Sequence, residues 1–143
     1  MIAKWLIPFM NNIIYESESA FVPGRLITDN VLVAYEINHH LGHKHWGTVG
    51  SVALKVDLST TYDLGFRQGD TLSPYLLLFY AEAFSNLLQR AEMRGEIRGV
   101  AISRQSPLVS HLLFAYDILV FCQAMNDVLR SIRQVLGWLE ATL

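Results

Sequence analysis

Two aspartates, Asp57 and Asp117, could hold a hard cation between them if the chain brings them together. Asp57 ends a stretch in which Val52, Leu54 and Val56 alternate with Ala53, Lys55 and Asp57, the period of a strand with one face in a core. That alternation turns Asp57 away from the core. Asp117 is the only carboxylate in an apolar run over 108–122, interrupted at Ser110, His111 and the Ala115-Tyr116-Asp117 junction. Such a run predicts a buried hairpin with Asp117 at its turn. Magnesium asks for hard oxygen ligands, and carboxylates on neighbouring strands are its natural holder. Asp57 and Asp117 can share an ion only if their strands adjoin. Asp63 is not a third ligand, because six residues along an extended strand put it on the same face but roughly 20 Å away.

These aspartates belong to four blocks that follow one another: Ala20-Phe21-Val22-Pro23-Gly24-Arg25, Lys55-Val56-Asp57-Leu58-Ser59-Thr60-Thr61-Tyr62-Asp63, Arg67-Gln68-Gly69-Asp70-Thr71-Leu72-Ser73-Pro74 and His111-Leu112-Leu113-Phe114-Ala115-Tyr116-Asp117. Ala81-Glu82-Ala83-Phe84 follows the third. A lone Asp-x-x-x-x-Tyr or Phe-Ala-x-Asp is usually structural, but the blocks in this order are specific. In this order they resemble the reverse transcriptase domain of plant-type non-LTR, LINE-like retrotransposons, over about residues 10–140 though not continuously.

The resemblance implies an α+β fold, a partial right-hand polymerase palm in which an antiparallel sheet is backed by helices. It divides the chain into a fingers-like remnant over about 1–48 and a palm-like remnant over about 49–143. The activity it implies is RNA-directed DNA polymerisation on an RNA template and DNA primer, with deoxynucleoside triphosphates and two Mg2+ ions. Asp57 and Asp117 are then the catalytic metal ligands on adjacent strands. Tyr116 stands where the family's Phe-Ala-Asp-Asp has its first aspartate. Tyr62 resembles the aromatic that packs against the incoming sugar and excludes a ribose 2'-hydroxyl, with an ordinary strand aromatic as the alternative. Gln68 and Gly69 fit the loop at nucleotide and template, where glycine lets backbone approach a ligand and glutamine offers amide hydrogen bonds. Arg25 either reaches a phosphate or template or is a solvated turn residue.

Several departures point to lost chemistry. A phenol with a pKa near 10 is a poor magnesium ligand at neutral pH. Two divalent ions with one carboxylate fewer are left with less-compensated repulsion. In the family, several tens of residues separate the first aspartate block from the Arg-Gln-Gly-Asp block, whereas here Tyr62-Asp63 runs almost directly into Gly65-Phe66-Arg67. A sheet without that layer is expected to expose apolar surface and sheet edge. The chain also stops at Leu143, before the family's later palm and thumb elements, and Thr71 replaces a family proline. The expectation is a catalytically degenerate fragment. A weakly active polymerase and a non-catalytic nucleic-acid- or protein-binding module are the alternatives.

Composition agrees with a single partial domain. The 143 residues suit one domain, and 52% hydrophobic against 17% charged residues is more apolar surface than such a chain easily buries. A net charge of -2 counts against strong autonomous binding to a nucleic-acid backbone. Arg90, Arg94, Arg98, Arg104, Arg130 and Arg133 are read as solvated positions. The single Cys122, in an apolar run, excludes an internal disulfide and reads as a buried, inert thiol. No signal-peptide pattern is present and no apolar run is long enough to span a bilayer, so the expectation is an intracellular protein, cytoplasmic or nuclear, without a membrane partner. Nothing in the sequence sets the oligomeric state.

The elements around the blocks follow from spacing. Thr28 is expected to cap a helix with Val31, Ala34, Ile37 and Leu41 inward and Gly42 as its stop. Ser73-Pro74 reads as a second start, with Leu76, Phe79, Ala83 and Leu87 on one face and Gly95 as the stop. Val128, Ile132, Val135 and Leu139 mark a last helix. His39, His40, His43 and His45 place two imidazoles on one helix face. With no cysteine or second histidine cluster to complete a metal site, they read as a solvated helix end and loop. His111 reads as a satisfied hairpin residue rather than a base.

Overall fold

The computed structural model describes residues 8–9, 12–13, 24, 26–43, 49–58, 71–114 and 116–141. Among them are strands β1 (Ser51–Asp57), β2 (His111–Phe114) and β3 (Asp117–Gln123), and helices α1 (Ile27–His43), α2 (Ser73–Met93) and α3 (Asn126–Ala141). The hairpin expected over 108–122 forms as β2 and β3. The sheet is antiparallel with order β1-β3-β2. The result is a small mixed α/β unit.

β3 is apolar on both faces because it is the central strand and both faces are covered. On one side Ile118, Val120 and Cys122, with Val52, Leu54 and Val56 of β1, meet Leu77, Ala81, Phe84 and Leu88 of α2 and Val128, Ile132 and Val135 of α3. On the other, Leu119 and Phe121, with Ala53 and Leu112, meet Ala34 and Ile37 of α1. Phe84, Phe121, Ile118 and Val120 are fully buried, and each large side chain so placed contributes about 1.5–3 kcal/mol of hydrophobic stabilisation. Apolar surface is indeed exposed, but on α1 rather than on the sheet. Val31, Leu32 and Tyr35, with Leu26 just before the helix, each leave more than half their area in solvent.

Several boundaries differ from expectation. Thr28 and Gly42 lie inside α1, and the buried stripe is Asn30, Ala34 and Ile37, leaving Val31 outward. The side-chain amide of Asn30 donates to the Leu113 carbonyl (3.0 Å), which ties this face to edge strand β2 and turns the helix by one position. In α2 the N-cap is Leu72, not Ser73, and no side-chain cap hydrogen bond forms. The Leu72 carbonyl instead accepts from the N–H groups of Tyr75 and Leu76 (3.1 Å each). The buried stripe of α2 is Leu77, Ala81, Phe84, Leu88 and Ala91, so Leu76 and Ala83 face solvent. With apolar residues all around its first turns, α2 offers two helical registers of similar hydrophobicity, and packing against β3 selects between them.

Gly95 does stop α2. Its φ of +74° suits glycine, and the Gly95 N–H to Glu92 and Glu96 N–H to Ala91 bonds (2.9 Å each) form the paired closure of a Schellman end. The connection to β2 is pinned by reciprocal hydrogen bonds between Val100 and Val109 (2.9 Å each). Gly99 is needed there, because a Cβ would sit 2.7 Å from the Val109 carbonyl. α3 buries Val128, Ile132 and Val135 as the spacing predicts. Among the described residues no helix is long and apolar enough to cross a membrane.

Candidate functional site

The strand ends bring Asp57 and Asp117 together. In the β1–β3 ladder Asp57 is the register partner of Asp117, the last pair before the β2–β3 turn. Register partners project to the same face, with Cβ atoms about 4.5–5.5 Å apart. That face is the α1 side, shared with Ala53 and Leu119. Beyond the pair, the Leu58 N–H donates to the Tyr116 carbonyl (2.7 Å), so the turn is held against the end of β1.

Two carboxylates directly opposite one another repel, and the chain answers with a cation. Lys55, two residues before Asp57 and so on the same face, sets its Nζ 3.1 Å from Asp117 Oδ2. The two side chains are 62% and 37% exposed, so the ion pair is worth well under about 1 kcal/mol. Sequence reasoning missed this contact, although the alternation that turned Asp57 outward also turned Lys55 outward.

Tyr116 does not extend the carboxylate pair. Its half-buried ring packs against the cluster on the opposite face, with Ile118, Val120 and the α2 and α3 residues. It is an apolar contact of the core edge. Among the described residues the donor set on the α1 side includes two carboxylates, with the Lys55 ammonium against Asp117. Hard oxygens of this kind fit a single magnesium-like ion that keeps several waters, and they do not compensate two. Among the described residues no group of three or more His, Cys, Asp or Glu could hold a metal. Arg25, Tyr62, Asp63, Gln68 and Gly69 lie outside the described residues. Gly24, beside Arg25, has the left-handed φ of +82° expected of a turn glycine.

The buried polar residues serve the fold. His111 is 4% exposed, and its Nε2 lies 2.6 Å from Ser85 Oγ and its Nδ1 2.9 Å from Ser110 Oγ. Burial pushes its imidazole down from 6.5 to about 4, so it is neutral at physiological pH. It is the satisfied hairpin residue expected, and its two serine partners were not legible beforehand. Cys122 is buried, with burial pushing its thiol up, which fits an inert core sulfur. All six arginines singled out from sequence are exposed. Arg90 and Arg94 line a cleft of about 110 Å³ between α2 and α3 with Ser131, Gln134 and Trp138.

No protein-family model matches the chain. The chain is similar to an uncharacterized mitochondrial protein of Arabidopsis thaliana, AtMg01250, being 49% identical to it over 53 residues. The match takes in 37% of this chain and 43% of that protein, so the chain spans less than half the length of this relative.

Proposed function

We propose that this chain is a fragment of a non-LTR retrotransposon reverse transcriptase domain, a partial polymerase palm whose catalytic centre is degenerate. The observation that carries the reading is the register of Asp57 against Asp117 at a hairpin turn. Two carboxylates more than fifty residues apart in sequence end side by side where a cation could bridge them. Nucleotidyl transfer needs two ions, one to activate the primer hydroxyl and one to grip the leaving phosphates. Asp57 and Asp117 would hold one Mg2+, and that ion would polarise phosphate oxygens. Lys55 competes with it for Asp117, and Tyr116 offers the core a ring where a second carboxylate is needed. Tyr62, Gln68, Gly69 and Arg25 remain the candidates for nucleotide and template contact. Primer extension by the purified chain, with RNA template, DNA primer, deoxynucleoside triphosphates and Mg2+, tests this reading. The expected result is no product. Template-dependent product that disappears in Asp57→Ala would instead establish a weakly active polymerase.

A second reading, a non-catalytic nucleic-acid-binding module, draws on Arg90, Arg94 and Trp138 around one cleft, since guanidinium and indole groups suit phosphates and unstacked bases. Titration with single-stranded and hybrid nucleic acid separates it from the first. Binding that weakens steeply with salt and is lost in the Arg90→Ala, Arg94→Ala double variant supports it.

A further inference from the structure

We infer that His39 and His43 form a two-imidazole chelate for a borderline divalent cation of the zinc class, on the solvent side of α1. The residues lie one helical turn apart, and both are exposed. Their rings stack with centroids 4.1 Å apart and planes at 25°. Tyr35 stacks on the other side of His39 at 6.3 Å and 28°, which restricts that ring as well.

The decisive contact is His43 Nδ1, 2.8 Å from the His39 carbonyl oxygen. A carbonyl only accepts, so Nδ1 carries the proton. That leaves Nε2 as the ring nitrogen available to a ligand, the arrangement in which a backbone carbonyl orients a metal-binding histidine. Two nitrogens each about 2.1 Å from a tetrahedral zinc lie about 3.4 Å apart, and because imidazole lone pairs lie in the ring planes, binding turns the two rings out of their 4.1 Å stack until both Nε2 atoms face the ion. The pair opens on a basin of about 340 Å³ lined also by Glu36, His40 and Ile102. No third His, Cys, Asp or Glu completes the set among the described residues, so water fills the remaining positions. Imidazole favours zinc, nickel and copper over magnesium, which separates this site chemically from the Asp57–Asp117 pair.

The test is calorimetric titration of the full chain with ZnCl2, with circular dichroism to check that each variant is folded. The expected result is saturable binding of one equivalent. His39→Ala and His43→Ala should each weaken it by more than the roughly tenfold that loss of an outer-shell partner costs. His40→Ala should bind as the parent does. MgCl2 should not displace the zinc. No saturable binding by the parent chain, or binding unchanged in the folded His39→Ala, His43→Ala double variant, overturns the inference, as does a loss in His40→Ala equal to that in His43→Ala.

Discussion

Acidification should destabilise this chain through one buried ring. His111 is neutral in the folded state, with its imidazole held near 4 by burial, while the unfolded chain presents an ordinary histidine near 6.5. Between those values the unfolded state binds a proton that the folded state refuses, so stability rises with pH across the window. The contribution is complete above about 6.5, is lost as pH falls through the window, and changes no further below about 4. A difference of about 2.5 pH units at 1.36 kcal/mol each amounts to about 3 kcal/mol in all, and about 2 kcal/mol between pH 6.5 and 5. Urea unfolding at pH 5, 6 and 6.5 measures it, and His111→Gln supplies the reference. Glutamine keeps an amide to meet Ser85 but cannot titrate. The exposed histidines are common to both forms and cancel in the difference. The parent should lose about 2 kcal/mol more than His111→Gln on going from pH 6.5 to 5. Parallel profiles for the two proteins would refute the argument that burial keeps this ring neutral.

Gly99→Ala should cost about 1–3 kcal/mol in urea unfolding, because its Cβ meets the backbone of Val109 at 2.7 Å and backbone does not yield as a flexible side chain would. Lys55→Met should lower stability at neutral pH by less than about 1 kcal/mol, by taking the ammonium away from Asp117 where it faces Asp57. Adding Asp57→Asn to Lys55→Met should recover most of that loss, and thermal unfolding of the three forms checks both statements. Tyr116→Asp should destabilise the fold by about 1–3 kcal/mol in urea unfolding, since it takes a half-buried ring out of the Ile118 and Val120 cluster. It should not confer primer extension, because catalysis also needs primer, template and nucleotide held in line.

The parts of this fold legible in the sequence were those where a single period had no rival. β1 alternates cleanly from Val52 to Asp57, and its register against β3 follows once one face is buried. The hairpin announced itself as an apolar run broken at the Ala115-Tyr116-Asp117 junction, and Gly95 as the first glycine after the Ser73-Pro74 start. α1 and α2 misled because each carries apolar residues on more than one face. There, tertiary contacts decide the rotation: Asn30 on the Leu113 carbonyl for α1, and the α2 stripe on β3 for the other. Local pattern made Asp57 an outward strand residue and Asp117 a turn carboxylate, and that their strands adjoin was what the resemblance implied, as the register bears out. The meeting itself, and the contact of Lys55 with Asp117, depend on strand order, which no local pattern encodes.

The central proposal is that Asp57 and Asp117 are the remnant of a metal-dependent centre and together hold one hard cation. Paramagnetic broadening of backbone amide resonances on titration with Mn2+, competed with Mg2+, tests it directly, because broadening falls off steeply with distance from the ion. The account predicts broadening centred on Asp57 and Asp117, reversed by Mg2+, stronger in Lys55→Met and abolished in the Asp57→Asn, Asp117→Asn double variant. Broadening centred elsewhere, or undiminished in that double variant, would contradict it.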